Sequence, residues 1–305
     1  MTGLPSVGVV IPTYNRPELM RGAVRAVLAQ HYPGELKILV VYDRVDPDPT
    51  TARTEGGRTV EVMANSRTPG LAGSRNTGIL ALDTDLVAFC DDDDEWLPGK
   101  LAAQVEVLLA RPVAELCTCG ILVDFDGTTN PRLAGTDTVT HEQLLRSRMA
   151  MLHSSTVLLR RRAIVDDIGL VDEQIPGGQN EDWDLLLRAS QRHSIVHVDQ
   201  PLVRVRWGRT SFFAQQWQTK IDSLEWMLDR HPDIGTNRVG SARVYGQLAF
   251  AHACLRDGAA ARRWAWLALR RHPREWRAGV ALIVSTRLVS GPAVLRVLHK
   301  FGRGV

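Results

Sequence analysis

Cysteine is scarce in this 305-residue chain, which holds only Cys90, Cys117, Cys119 and Cys254. Cys117 and Cys119 form a C-x-C pair with no second pair at zinc-ligand spacing, which argues against a structural metal site and against a disulfide scaffold. The four read as buried free thiols of a reducing compartment. Long apolar runs are missing too. The most apolar late stretch, 279–286, is cut short by Arg287, and no segment reaches the roughly 18–20 apolar residues that span a bilayer. The opening MTGLPSVGVVIPTYNR lacks the basic-then-apolar order of a signal peptide. These absences predict a cytoplasmic protein.

What is present is ordinary for a globular chain: 44% hydrophobic and 23% charged residues leave disorder and collagen-like repeats as poor readings. The length suffices for one large domain or for a domain with an appendage. Charge is unevenly spread. Residues 201–305 hold 18 Lys/Arg against 6 Asp/Glu, whereas residues 1–200 hold 19 against 28, within a net charge of +3. An acidic front part and a basic tail suited to an anionic surface fit this asymmetry; arginines that merely solvate exposed helix faces fit it equally.

Residues 7–11 (VGVVI) predict a buried strand ended by Pro12. Pro17 suits the first turn of a helix that carries Leu19, Ala23, Val27 and Leu28 on one side. Residues 37–41 (KILVV) form a second buried strand, and strand, helix and strand within about 35 residues mark a parallel crossover. Further strands are predicted over 60–63, 86–90, 117–123, 155–159 and 196–205, and helices over 73–82, 98–110 and 181–192. From Phe212 the pattern turns purely helical. Residues 241–273 read as two helices joined at Arg256-Asp257-Gly258, like a single tetratricopeptide-type unit, and one copy is not an array. The expected organisation is an α/β sheet domain over 1–210 and an α-helical region over 211–305.

Three segments carry chemistry. The run Asp91-Asp92-Asp93-Asp94 follows the apolar strand 86–90 directly. Adjacent carboxylates repel unless a cation neutralises them, and hard ions such as Mg²⁺ or Mn²⁺ prefer such oxygens and bridge to phosphates. The carboxyl end of a parallel strand is also where open α/β sheets bind ligands. A solvated acidic turn is the bland alternative. In Gly70-Leu71-Ala72-Gly73-Ser74-Arg75-Asn76-Thr77-Gly78, the glycines permit a tight loop before a helix start that favours anions, and Arg75 adds a charge-assisted contact. A plain Gly-rich connector explains it as well. In Asn180-Glu181-Asp182-Trp183-Asp184, Asn180 reads as a helix cap with acids in the first turn. Those acids either complement the helix dipole or accept a proton from an incoming hydroxyl.

Taken in order, Val-Ile-Pro-Thr-Tyr-Asn-Arg (10–16), Gly70–Gly78, the acidic run and Glu181-Asp182 resemble the motifs of the family 2 nucleotide-sugar glycosyltransferases of bacterial type. These are inverting enzymes with the GT-A fold, a Rossmann-like mixed sheet flanked by helices. The resemblance covers roughly residues 6–210 and implies roles. Pro12, Thr13 and Tyr14 would lie along the nucleotide, with Asp43 near the base and Arg75 and Asn76 facing the diphosphate or ribose. Within the D-x-D pattern Asp93 would ligate Mg²⁺ or Mn²⁺, Asp91 would support the metal shell or contact ribose, and Asp92 offers a second register. Asp182 would be the general base with Glu181 orienting it. No covalent intermediate is implied, so no Ser–His or Cys–His pair is required, and none is apparent.

Two departures from the family pattern stand out. Relatives often carry two adjacent acids after the second strand, where this chain has Tyr42-Asp43. After the last strand, where many relatives place a His, this chain has Arg206, able to pair with a diphosphate but not to ligate a metal. His153 and Trp183 are candidates for the acceptor side, with structural packing as the competing role. The expected partners are a nucleotide-sugar donor, most simply UDP-linked, and an acceptor that is a glycan, lipid carrier, natural product or peptide. Nucleic acid is not expected, and oligomerisation is left open. The basic C-terminal helices, with Trp264, Trp266 and Trp276, suggest peripheral contact with the inner face of a membrane. A sugar-phosphate nucleotidyltransferase would need a Gly-rich, basic loop after the first strand, which Pro12-Thr13-Tyr14-Asn15 is not. A non-catalytic nucleotide-sugar scaffold would have no need of a base.

Overall fold

The computed structural model describes residues 3–125, 127–207, 216–287, 289, 291 and 293–294. The chain forms two compact units. The first is built from residues up to Leu144, Arg148–Glu173 and Glu181 onward through the last strand; the second takes Leu145–Ser147, Gln174–Asn180 and the later helices. The expected boundary at 210/211 falls outside the described residues, and two short stretches of the front part belong to the second unit.

The first unit holds an 11-stranded mixed sheet among the described residues. Its strands are β1 (Val7–Thr13), β2 (Leu36–Tyr42), β3 (Arg53–Glu55), β4 (Arg58–Ala64), β5 (Leu86–Phe89), β6 (Glu95–Trp96), β7 (Leu116–Phe125), β8 (Thr128–Arg132), β9 (Thr138–Val139), β10 (Leu158–Arg160) and β11 (Ile195–Arg206). The main path runs β3-β4-β2-β1-β5-β10-β7-β11-β6, with β8 on β7 and β9 on β11. Pairs β1–β2, β2–β4, β1–β5 and β7–β11 are parallel, whereas β10 runs antiparallel between β5 and β7. The helices are α1 (Pro17–Leu28), α2 (Leu71–Ala81), α3 (Lys100–Ala110), α4 (His141–Arg146) and α5 (Glu181–Arg192). β1, β2 and β5 are apolar almost throughout because helices cover both faces of a parallel sheet. The chain leaves β1 toward β2 and later returns to β5 on its other side. The carboxyl ends of β1 and β5 thus flank a topological switch point, the usual ligand crevice of such sheets.

Pro12 does not end β1, which continues to Thr13. Val10 O accepts from Cys90 N and Thr13 O from Asp43 N, so alternation turns the nitrogen of Pro12 toward β5. There the ladder has already stopped, at Phe89 opposite Val10, and the missing N–H costs no pairing. The strand expected over 155–159 is also shorter. Residues 154–156 form a 3₁₀ turn, with Thr156 Oγ1 donating to His153 O, and only Leu158–Arg160 joins the sheet. At Gly73 an added Cβ would lie 1.9 Å from Thr68 O, so only glycine lets α2 press against the preceding loop.

The second unit contains α6 (Trp217–Arg230), α7 (Asp233–Thr236), α8 (Arg238–Cys254), α9 (Gly258–Arg271) and α10 (Trp276–Ser285). Asn237 caps α8 by accepting from Gly240 N, and Asp257 caps α9 by accepting from Ala260 N. Its core is mostly alanine, with Ala249, Ala253, Ala261, Ala265, Ala268, Ala278 and Ala281 around Phe250. No helix among the described residues is long and apolar enough to cross a membrane.

Candidate active site

Asp91–Asp94 form a turn closed by Asp94 N donating to Asp91 O at 3.1 Å. The four carboxylates have different partners. Asp91 accepts from Arg75 Nη2 at 2.7 Å and from Ser154 Oγ at 2.8 Å. Asp92 is buried and accepts from Thr13 Oγ1 at 2.8 Å and Arg16 Nη1 at 3.2 Å. Asp93, the most open, meets Arg16 Nη1 at 2.9 Å. Asp94 is buried, accepts from Ser155 Oγ at 2.5 Å and lies 3.2 Å from His153 Nδ1. Ser155 Oγ in turn accepts from Asp91 N at 2.9 Å, so one hydroxyl ties both ends of the turn.

Behind the turn Arg75, fully buried, reaches from Asp91 to Glu181 Oε1 at 2.6 Å. Glu181 opens α5, and the next residue, Asp182, accepts from Arg148 Nη2 at 3.0 and 2.8 Å and from Trp183 N at 2.7 Å. Burial alone would raise the Asp182 pKa, but Arg148 and then His153 outweigh it and hold the carboxyl below its usual range. Glu181 is pushed the other way, by burial and by Asp182. Burial and the neighbouring Asp94, Asp91 and Asp92 raise Asp93 to about 6. For His153 burial lowers the pKa, yet Asp94 and Asp91 prevail and bring it to about 9.

Among the described residues the six acids Asp91, Asp92, Asp93, Asp94, Glu181 and Asp182 pair with Arg16, Arg75, Arg148 and His153, so carboxylates outnumber their paired basic groups. A divalent cation fits that imbalance. One ligand atom each from Asp91, Asp94 and His153 lie within 4.8 Å of one another, a mixed oxygen and nitrogen set that could hold Mn²⁺ or Mg²⁺ once His153 gives up its proton.

Several residues lie elsewhere than the motif pattern implies. Arg75 does not face an open cleft but bridges half-buried Asp91 and buried Glu181. Asn76 is buried and spends its amide on Val171 N and O and on Glu173. Asp43 is engaged by Asn65, Gly70 N and Arg44, whose hydrogen bonds overcome burial and lower its pKa. Pro12 is buried in β1 and Thr13 is tied to Asp92, while Tyr14 is exposed, its ring centroid 4.4 Å from the Arg44 guanidinium carbon. Trp183 is buried and donates to Leu144 O at 3.0 Å, the packing role that competed with an acceptor-side one. Asp93 stands apart from the Asp91, Asp94 and His153 group, and His153 sits with the acids. Arg206 is exposed and borders, with Asp93, Glu95 and Glu18, a cavity of about 460 Å³ against α1. Sequence reasoning gave Arg16, Asp94 and Arg148 no individual role. Arg16 closes the first motif and Asp94 lies inside the acidic run, so both were within reach, whereas Arg148 carries no local signal.

The mixed sheet and the acidic turn at the carboxyl end of β5 define a GT-A nucleotide-sugar transferase architecture. Residues 8–167 match the family model described as Glycosyl transferase family 2, and the chain belongs to that family. It is 26% identical over 227 residues to the uncharacterized glycosyltransferase RP339 of Rickettsia prowazekii, covering 72% of this chain and 69% of that one. With the UDP-Glc:alpha-D-GlcNAc-diphosphoundecaprenol beta-1,3-glucosyltransferase WfgD of Escherichia coli it shares 25% identity over 108 residues, 35% of this chain and 43% of the relative. Among solved structures, S. aureus TarS 1–349 in complex with UDP-GlcNAc superposes with a TM-score of 0.62 at 16% identity, covering 92% of this chain and 89% of that one.

Proposed function

We propose that the protein transfers a sugar from a UDP-sugar to a hydroxyl acceptor with inversion, assisted by a divalent metal, with Asp182 as general base. The observation that carries this is the series Asp91–Arg75–Glu181 followed directly by Asp182, which links the acidic turn and an ionised carboxylate in one network. An acceptor O–H would give its proton to Asp182 while the oxygen's electron pair forms the bond to the anomeric carbon. The bond from that carbon to the leaving oxygen breaks on the opposite face, and its electron pair leaves on the nucleoside diphosphate. Arg75 and Glu181 act as positioning residues that fix α5 against the turn. Asp91, Asp94 and His153 would hold Mn²⁺ or Mg²⁺, which when bound offsets charge on the departing diphosphate. A nearby cation would favour ionisation of Asp93, whose pKa is held up by burial and by the neighbouring acids. Exposed Tyr14, together with Asp93 and Arg206 along the cavity, supplies the donor-facing surface.

A UDP-sugar should raise the melting temperature in the presence of Mn²⁺, by the several degrees that about 2.7 kcal/mol of binding at hundredfold excess provides. The metal-dependent part should vanish in Asp91→Asn. Absence of stabilisation by every nucleotide sugar tested would remove the transferase reading.

Lipid-linked glycans are the acceptor class we favour. Two family relatives are named for diphosphoundecaprenol-linked acceptors, WfgD and a Campylobacter jejuni glucosyltransferase. Helix α9 supports a membrane-side partner: Arg262, Arg263, Trp266 and Arg270 are exposed at one-turn spacing with no acid among them, and Arg270 lies 4.5 Å from the Trp266 ring centroid. The protein should sediment with vesicles containing phosphatidylglycerol but not with pure phosphatidylcholine, and Trp266→Ala with Arg262→Glu should weaken this. Equal recovery from both vesicle types would count against the membrane contact.

A further inference from the structure

We propose that the helical second unit carries a phosphate-binding site of its own, formed by Arg243, Arg277 and Arg146 and suited to a phosphate monoester dianion. All three arginines belong to that unit, and α8 brings them together. At Gly240 the helix lies so close to residues 145–147 that an added Cβ would fall 1.9 Å from Leu145 O and 3.3 Å from Arg146 Cα. One turn on, Arg243 donates from Nη1 to Ser147 Oγ. A further turn on, at Gly246, an added Cβ would lie 3.0 Å from Arg277 Cβ and 3.1 Å from Glu275 Cγ. Residues three apart share a helix face, so one side of α8 sets Arg146 and Arg277 on either side of Arg243.

These positive charges are poorly matched. Arg277 Nη1 meets Glu275 Oε1 at 2.9 Å, and the same oxygen caps α10 by accepting from Arg277 N at 3.2 Å. Among the described residues neither Arg243 nor Arg146 has an acidic partner, so three guanidiniums stand against one carboxylate. Arg277 is only 9% exposed, and its Nε is shut from water without a hydrogen-bond partner. That unmet donor is a second, independent sign of a missing acceptor. Burial, and then Arg277 and Arg146 against Glu275, lowers the pKa of Arg243. Two unmatched positive charges select the ligand. A phosphate monoester carries about −1.5 to −2 near neutral pH and offers three acceptor oxygens, whereas a carboxylate supplies one charge. No existing ion pair has to break, since Glu275 keeps Arg277 while Arg243 and Arg146 receive the anion. Arg146 is exposed and Arg243 half-buried, so the ligand enters from the Arg146 side. A free sugar phosphate and a lipid headgroup ending in a phosphate monoester share this chemistry.

The full-length protein is titrated by calorimetry with inorganic phosphate, in metal-free buffer of fixed ionic strength at neutral pH. The wild type should bind it, and Arg243→Gln should weaken binding at least about tenfold, the size of one charge-assisted hydrogen bond. Arg146→Gln, at an exposed position, should weaken it severalfold, and it decides alone if a melting curve shows Arg243→Gln unfolded. Arg230→Gln, which removes an exposed arginine at the end of α6, should bind like the wild type. Absence of phosphate binding by the wild type overturns the proposal. Undiminished binding by folded Arg243→Gln, or an equal loss in Arg230→Gln, does so too. Phosphatidylcholine vesicles then tell the two sources apart, with phosphatidic acid added to one set and phosphatidylglycerol at matched charge to the other. Retention that is greater on phosphatidic acid and is lost in Arg243→Gln assigns the headgroup. Phosphate binding without that excess assigns the free phosphate monoester.

Discussion

Asp182→Asn should lower sugar transfer about 10²- to 10⁴-fold, the usual worth of a positioned general base. The amide has the shape of the carboxylate but cannot take up the acceptor proton at neutral pH. Nucleotide binding should survive, because the hydrogen bonds of Asp182 run to Arg148 and to its own helix amide and not to the acidic turn. Parallel measurements of turnover and of UDP affinity check both halves. Unchanged transfer would sink the base assignment, and joint loss of transfer and nucleotide binding would point to a structural role.

Arg75→Ala should cost the fold about 3–5 kcal/mol, the penalty for stranding a buried charge by deleting its partner. Two acids lose this cation at once, half-buried Asp91 at 2.7 Å and buried Glu181 at 2.6 Å. At roughly 2–4 °C per kcal/mol for a domain of this size, the melting temperature should fall by about 10 °C. Arg75→Lys should recover little, because one ammonium cannot span two carboxylates as the planar guanidinium does. Thermal and urea unfolding of the three proteins provide the check, and a wild-type melting temperature in Arg75→Ala would show that the bridge carries no weight.

Legibility differed by the range of the interaction concerned. Helix α5 begins and ends as its pattern indicates, at Glu181 and Arg192, since acids in the first turn and apolar spacing are local signals. The alternation of strands and helices and the position of the acidic run at the end of a buried strand were equally plain. The partners of the site residues were not. Arg75 looked like a phosphate contact because it opens a glycine-rich helix, yet α2 is buried from Ala72 to Ile79 and both Nη atoms of Arg75 turn to acids inside. Its second partner lies 106 residues downstream, and Arg148 lies 34 residues before the carboxylate it holds. No periodicity or motif spacing encodes such pairings; the folded sheet does. A strand near β10 was predicted over 155–159, but its antiparallel pairing, and the 3₁₀ turn before it that brings Ser154 and Ser155 to the acidic turn, were not legible for the same reason.

The four aspartates are held at both ends, by β5 before them and by β6 after, and β6 pairs Trp96 with Val203 and Glu95 with Arg204. Trp96 faces inward, donating to Ser155 O at 3.1 Å with Lys100 Nζ 3.6 Å from its ring centroid. Because successive strand residues point to opposite faces, one inserted or deleted residue between Phe89 and Glu95 would turn Trp96 out of the core or break the pairing with β11. The length of this acidic segment is therefore under tighter constraint than the identity of any one of its acids. A single substitution within it changes a charge, whereas a one-codon insertion or deletion would shift the whole turn out of register with the sheet that carries it.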